Sequence, residues 1–480
     1  MTFWDYSWAV LVVAYTLVVA STVYTVLFER RDPVRAVSWI TVVVLLPVAG
    51  LIVFIFFGQN YRKRKIFNRK ELRDIRQLDE YSLRQVKALG EISIHEIVEN
   101  REIIKLLLNN SKALLTFNNK VDVLVNGRGT FDAILPALAV AQHSIHLEYY
   151  IFENDDLGGR IADILIERAQ HGVEVRLIYD DVGSWHLSKK FIHRLRKAGV
   201  HVHCFMPVVF PWLTSKINYR NHRKIIVIDG VVGFTGGINV ADRYINGTKH
   251  GIWRDTHLRL EGDSVRMLQI AFIMDWFFAT KEQLAPLSTY LPVQHCNGNM
   301  AIQIAISGPD SDWASIMQAF FAAITKAKKS IYISTPYFLP NQSILTALKV
   351  AALGGVDVRI MLPSYSDSKL VHWASRSYFT ELLEAKVKIY LYQRGFNHSK
   401  VMCVDGIFSS VGSVNMDERS FEDNFEVTAM IYNSVTTQIL TQQFLSDLHY
   451  CRHMTLARWH QRKHKDDFKQ SVARLFSPLL

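Results

Sequence analysis

The stretch NHSKVMCVDG, residues 397–406, sets a His, a Lys and an Asp around a short apolar run, and NHRKIIVIDG, residues 221–230, does the same 176 residues earlier. Followed downstream, the first copy reads His222, Lys224, Asp229, Gly236, Gly237, Asn239, Asp242 and Arg243. The second reads His398, Lys400, Asp405, Gly412, Ser413, Asn415, Glu418 and Arg419, with every pair at the same spacing. A lone H-x-K is noise; eight ungapped matches signal a duplicated unit. Similar segments surround each copy. SIHLEYYIFE (144–153) and SIYISTPYFL (330–339) read as strands, as do HGVEVRLIYD (171–180) and GGVDVRIMLP (354–363) after helical stretches. Strands alternating with amphipathic helices predict an α/β layer structure in each half.

The repeated groups suggest a chemistry. A histidine near neutral pH serves as a nucleophile when neutral and as an acid when protonated. A lysine two residues on shares the histidine's face of a strand and adds a positive charge. Brought together, the two copies offer a nucleophile, an acid and two cations to one phosphate. Phosphodiester exchange needs two imidazoles in different roles, one attacking phosphorus and one protonating the departing alkoxide. Lys224, Lys400, Asn239 and Asn415 would then stabilise the equatorial oxygens.

The chain has 480 residues, enough for two sizeable cores, and its apolar content of 49% against 21% charged residues is not that of a disordered protein. The net charge of +11 suggests an anionic partner, nucleic acid or acidic lipid. Residues 7–28 and 36–57 are two uncharged runs of 22 residues, each long enough to span a bilayer as a helix, and they predict two transmembrane segments. A cleavable signal peptide fits poorly, since no Lys or Arg precedes the first run and a second follows. Arg30, Arg31 and Arg35 lie between the runs; Arg62, Lys63, Arg64, Lys65, Arg69, Lys70, Arg73 and Arg76 follow the second. That excess places the large C-terminal part in the cytoplasm. Cys204, Cys296, Cys403 and Cys451 are scattered, which implies reduced thiols, and HVHC (201–204) resembles a metal cluster only superficially. No G-x-x-x-x-G-K-[ST] loop is present, so no nucleotide is expected. The first half is longer than the second between residues 200 and 222; the extra segment, residues 206–221, carries Phe210, Trp212, Leu213, Lys216 and Arg220 and reads as a loop at the membrane interface.

Both copies resemble in full the H-x-K-x4-D-x6-G-[GS]-x-N motif of the phospholipase D superfamily. The two apolar runs, PYFLP at 336–340 and the terminal RLFSPLL extend the likeness over essentially the whole chain to the bacterial cardiolipin synthase family. The resemblance implies two α/β/α sandwich halves related by a pseudo-two-fold axis, a site at their interface, a covalent phosphohistidine, and neither metal nor other cofactor. The corresponding organisation is an anchor over 1–57, a basic helical connector over 58–120, a first half over 121–295 with its motif at 222–239, and a second over 296–480 with its motif at 398–415. The catalytic set is His222, Lys224, Asp229, His398, Lys400 and Asp405, with Asn239 and Asn415 on the phosphate. By analogy with two-motif relatives, His222 is the nucleophile and His398 the acid. Asp229 and Asp405 also have a structural reading, since each ends its strand at a turn. Asp255 and Glu426, downstream of the two histidines, are the carboxylates expected to hold the Nδ1 protons, in the superfamily sometimes across the halves. The activity implied is phosphatidyl transfer between two phosphatidylglycerol molecules, giving cardiolipin and glycerol, at the bacterial cytoplasmic (inner) membrane. Hydrolysis by the same site is the alternative, and nucleic-acid phosphodiester cleavage is disfavoured by the two spans. The partners expected are therefore anionic phospholipid and membrane, with no nucleic acid; the oligomeric state is not encoded in any motif.

Overall fold

The computed structural model describes residues 3–28, 33–46, 48–57, 75–208 and 219–477. It divides into two units, Met1–Asn68 with Val208–Asn218, and Arg69–Pro207 with Tyr219–Leu480.

In the first unit, helix α1 (Phe3–Phe28) contains a 22-residue stretch, Ser7–Phe28, of mean hydropathy 2.2. Among the described residues it is the one helix long and apolar enough to cross a membrane. The second apolar run departs from the expectation of a continuous span. It forms α2 (Pro33–Leu45) and α3 (Ala49–Phe57), 13 and 9 residues long, each short of the ~20 that a crossing needs. The sequence at the break contains Pro47, which cannot donate to the helical ladder, and Val48 has a φ of +63°. Val26, Val43 and Phe54 pack together across the three helices. Phe210, Trp212, Leu213 and Lys216 of the extra loop, and residues 58–74 of the connector, lie outside the described residues.

The second unit holds two sheets of matching order. The first comprises β1 (Asn119–Val125), β2 (Ser144–Tyr149), β3 (Glu174–Asp180), β4 (His201–Phe205), β5 (Lys224–Ile228), β6 (Val232–Gly236) and β7 (Thr256–Gly262), arranged β1-β7-β6-β5-β2-β3-β4. The second comprises β8 (Ala301–Ser307), β9 (Ser330–Ser334), β10 (Asp357–Pro363), β11 (Lys388–Tyr392), β12 (Val401–Val404), β13 (Phe408–Gly412) and β14 (Glu426–Tyr432). Its core order is β8-β14-β13-β12-β9-β10-β11, the same arrangement strand for strand. It gains an extra strand at each edge, Leu115–Thr116 beside β8 and Cys451–Met454 beside β11. In both sheets the H-x-K strand lies at the centre, antiparallel to both neighbours, and its run, KIIVI or VMCV, is buried on both faces; the parallel strands extend from it toward one edge. Both halves are thus α/β layers, with helices such as α4 (Asp156–Gln170) and α5 (Lys189–Lys197) in the first.

Three features of the connector and turns complete the unit. The described part of the connector buries Ile97, Ile103, Ile104, Leu107 and Leu108 in the core of the second half, not the first. Gln303 on β8 fixes its end by donating to the Ala113 carbonyl at 2.7 Å. The Asp-Gly pairs closing β5 and β12 have positive φ at both residues, 53° and 68° at Asp229–Gly230 and 53° and 74° at Asp405–Gly406, as a tight hairpin turn requires.

Candidate active site

Strand β5 begins at Lys224 and β12 at Val401, directly after Lys400, so each H-x-K tripeptide sits at the start of its strand. The halves meet there by backbone pairing. Asn221 bridges Phe425, and the His222 amide donates to the Phe425 carbonyl at 2.9 Å. Correspondingly, Gly395–Asn397 pairs with Ile252–Arg254 in parallel, and the His398 amide donates to the Arg254 carbonyl at 2.7 Å. The residue after each of those carbonyls is a carboxylate. The arrangement therefore crosses: His222 Nδ1 lies 2.9 Å from Glu426 Oε1 and 3.2 Å from Oε2, and His398 Nδ1 lies 2.7 Å from Asp255 Oδ2. Each imidazole is oriented by the other half. With Nδ1 bound to a carboxylate, Nε2 is left to meet a substrate.

Both carboxylates are fully buried and separately held. The Thr256 amide donates to Asp255 Oδ1 at 2.7 Å, and Asn424 Nδ2 to Glu426 Oε1 at 3.3 Å. The Ser413 hydroxyl donates to Glu426 Oε2 in a short hydrogen bond. At the equivalent place in the first half stands Gly237, where a Cβ would fall 2.1 Å from Asp255 Oδ1. Glycine is thus required beside the aspartate, and serine serves the glutamate.

Lys224 and Lys400 are buried beside the histidines. Lys224 Nζ donates to the His222 carbonyl at 2.5 Å and lies 5.5 Å from the Tyr150 ring centroid. Lys400 Nζ donates to the His398 carbonyl at 2.6 Å and stands 3.1 Å from both nitrogens of that ring. Tyr150 meets His222 edge-on at 5.0 Å, whereas Trp253, Tyr244 and Phe396 surround His398 at 5.5, 5.6 and 5.9 Å. Burial sets the protonation of these groups. It pushes His222 down to about 4, with Glu426 pulling the other way and Lys224 adding to the push. His398 is held well below its ordinary value by burial and by the ammonium groups of Lys400 and Lys224. Burial also lowers Lys224 to about 7 and Lys400 to about 8, against the attraction of Glu426 and Asp255, and raises Asp255 to about 6. Burial thus favours neutral imidazoles and loosens the hold of both ammonium groups on their protons; an anionic phosphodiester would reverse both tendencies.

Asp229 and Asp405 do not join this cluster. Each lies past the far end of its strand, seven residues or about 23 Å of extended chain from the histidine. Asp229 accepts from the amides of Gln142, His143 and Ser144, and Asp405 from those of Lys328, Lys329 and Ser330, at 2.7–2.9 Å. In the structure they fix turns, each tying three amides to the end of a central strand. Asn239 lies near the site but is engaged: its amide donates to the Tyr244 hydroxyl at 2.6 Å, and its oxygen accepts from the Ile151 amide. Asn415 is buried with its oxygen unpaired. Cys204 in HVHC is a free thiol, and among the described residues no group of three or more His, Cys, Asp or Glu converges as a metal site.

Sequence reading missed two arginines that clamp the halves. Arg223, inside the first H-x-K, donates to the carbonyls of Glu426 and Ser307 at 3.1 and 3.2 Å and pairs with Asp275. Arg254, beside Asp255, pairs with Asp447 at 2.7 Å and reaches the Ser399 hydroxyl at 3.2 Å. An arginine within a motif whose second copy has serine was the available signal.

The family described as "Cardiolipin synthase, PLD-like domain" matches residues 134–252 and 320–448, and "Phospholipase D-nuclease N-terminal" matches residues 15–59. The chain is 44% identical over 480 residues to "Cardiolipin synthase" of Alkalihalophilus pseudofirmus, covering 99% of this chain and 95% of that protein. It is 40% identical to "Major cardiolipin synthase ClsA" of Bacillus subtilis, covering 94% and 95%. In fold it is similar to phosphatidylserine synthase of Haemophilus influenzae Rd KW20, with a TM-score of 0.60 at 13% identity over 79% of this chain and 98% of that one. With two matched sheets, duplicated H-x-K strands and relatives aligned along nearly its full length, the chain belongs to the cardiolipin synthase family of phospholipase D-like phosphatidyltransferases.

Proposed function

We propose that the chain joins two phosphatidylglycerol molecules into cardiolipin with release of glycerol. The observation that carries this reading is the crossed pair of histidine–carboxylate contacts flanked by Lys224 and Lys400. Neutral His222 attacks phosphorus through Nε2 while Glu426 takes up the positive charge developing on its ring. His398, protonated once the phosphodiester charge is in place, gives its proton to the departing glycerol oxygen, and Asp255 keeps it aimed. The phosphatidyl group is then held on His222. A hydroxyl of the second phosphatidylglycerol loses its proton to His398, attacks phosphorus and releases the histidine. One phosphodiester replaces another, so no activated donor is consumed. Lys224 and Lys400, with the amides of Asn239 and Asn415, stabilise the nonbridging oxygens at both transition states.

The anchor supports a membrane setting for this chemistry. The uncharged runs 7–28 and 36–57 hold the chain in the bacterial cytoplasmic membrane, the second crossing as the broken pair α2 and α3. The eight Lys and Arg that follow keep the catalytic part on the cytoplasmic side. Incubation of the purified full chain with phosphatidylglycerol alone tests the reading. Cardiolipin and glycerol in equal amounts are expected; phosphatidic acid as the main product would instead make water the acceptor.

A further inference from the structure

The loop that follows β3 is tied directly to the site and ends in an exposed tryptophan. Asp180 closes the strand, accepting from the amides of Val182 and Gly183 at 3.0 Å and of Asn221, next to His222, at 2.9 Å. Ser184 donates to the Tyr150 carbonyl at 3.1 Å and accepts from the Phe152 amide. Gly183 lies flat against the Tyr150 ring, where a Cβ would fall 2.7 Å from its carbons, and that ring meets His222 at 5.0 Å. Two residues on, Trp185 is 62% exposed. A single exposed apolar ring is ordinary on a protein surface; Trp185 is set apart by the loop that holds it beside the residues against His222 and by the cations that follow it.

The helix that follows supplies the charge. Ser188 caps α5, KKFIHRLRK, by accepting from the Phe191 amide. Phe191 and Leu195 are buried, while Lys189, Lys190, His193, Arg194 and Lys197 are exposed. Lys190, His193, Arg194 and Lys197 recur at i, i+3, i+4 and i+7 and so share one face. Arg194 pairs with Asp163; among the described residues Lys189, Lys190 and Lys197 have no acidic partner. The equivalent loop of the second half, SYSDS (364–368), has a different character, with Asp367 exposed and bonded to the Tyr337 hydroxyl at 2.7 Å. Where the first loop presents Trp185, the second thus presents an acid.

We propose that Trp185 and the exposed lysines of α5 form a membrane-docking edge for the mouth of the site, with anionic phospholipid headgroups as its occupant. The indole enters the headgroup–acyl boundary and Lys189, Lys190 and Lys197 meet phosphates. Docking there brings lipid to the histidine that accepts the phosphatidyl group. The proposal rests on the phospholipid reading above.

The test uses the full chain in vesicles containing about one-third phosphatidylglycerol in phosphatidylcholine, a content high enough to give a negative surface. Trp185→Cys carrying an environment-sensitive fluorophore should be quenched by nitroxide-labelled lipid beyond the level of the parent chain labelled in parallel. No excess quenching would overturn the proposal. Trp185→Ser with Lys189→Gln, Lys190→Gln and Lys197→Gln should lower turnover on these vesicles about tenfold at low salt, with a smaller deficit at high salt where the cations are screened. On short-chain, monomerically dispersed phosphatidylglycerol it should match the parent. Equal losses on both substrates would overturn the docking role in favour of one inside the site. Val140→Ser, an exposed apolar residue before the opposite end of β2, should change neither rate. Quenching is read without turnover, so a parent chain that makes no cardiolipin would count against the phospholipid reading while the quenching still decides the docking.

Discussion

The two halves of the catalytic unit share a strand order and differ in what surrounds their histidines. His222 stands against Tyr150 and takes its carboxylate from Glu426, which Ser413 supports. His398 stands among Trp253, Tyr244 and Phe396, takes its carboxylate from Asp255, and has Lys400 Nζ 3.1 Å from both ring nitrogens. Duplication supplied two equivalent imidazoles; the neighbours make them unequal. A reaction that needs one base-like and one acid-like group gains from that inequality, because identical environments would give both rings the same proton affinity.

The largest test of the comparison removes each histidine in turn. His222→Ala and His398→Ala should each lower transfer by about 10⁴-fold or more, because neither role has a substitute nearby. The roles separate with a donor whose leaving group is p-nitrophenol. That group departs without protonation, so His398→Ala and Asp255→Asn should recover about 100-fold relative to their loss on phosphatidylglycerol, whereas His222→Ala and Glu426→Gln should not. Recovery in the other pair, or a phosphorylated His398 trapped in the intact chain, would exchange the assignments.

The pH profile sharpens the difference between the carboxylates and the lysines. Asp255 is raised to about 6, so acid should protonate it and release His398 as pH falls through that value. Lys224 and Lys400, lowered to about 7 and about 8, lose positive charge as pH rises through those values. The kcat/KM should therefore pass through a maximum between the two limbs, with about tenfold loss per unit on the acid side and a steeper fall, toward about a hundredfold per unit, once both lysines have titrated. Lys400→Arg, cationic at every accessible pH, should move the alkaline limb upward if Lys400 defines it. An unchanged alkaline limb would assign it to another group.

A smaller effect comes from exchanging the residues beside the carboxylates. Gly237→Ser would drive a Cβ into Asp255 and should lower activity about 100-fold through displacement of His398. Ser413→Gly removes one of several bonds to Glu426 and should cost about tenfold. Equal effects would mean that the two supports are interchangeable after all. The smallest catalytic effect is expected at the turns. Asp229→Ala or Asp405→Ala should destabilise the fold by about 1–3 kcal/mol by orphaning three amides, while the folded fraction keeps near-normal kcat. Loss of kcat without loss of stability would return these residues to the chemistry.

The duplicated motif made the α/β halves and the histidine–lysine pairs legible, because eight matched positions, six of them identical, constrain a strand, a turn and a second strand together. Asp255 and Glu426 were legible as candidates, but their crossing was open: Glu426 follows His398 in the chain and yet orients His222. That exchange is decided by the bridges Asn221–Phe425 and Arg254–Asn397, which join residues far apart in sequence. The aspartates had two readings because a motif records what a fold needs as well as what a reaction needs. A tight Asp-Gly turn whose carboxylate binds three amides is such a need. The second apolar run illustrates another limit, since hydropathy measures a segment's solvent preference and not its continuity as a helix. Docking of the connector on the second half also escaped pattern reading, because an amphipathic helix specifies that it packs and not against which sheet.

The crossed carboxylates have a consequence for descent. A chain with a single copy of the motif would hold a histidine without its own orienting group, and two such chains would have to lend carboxylates to each other. Joined in one polypeptide, the lenders are freed from sameness. Ser413 could come to accompany a glutamate while Gly237 stayed with an aspartate, and each change would touch one histidine only. Mutual dependence between the halves, once covalently secured, became the means by which they could specialise.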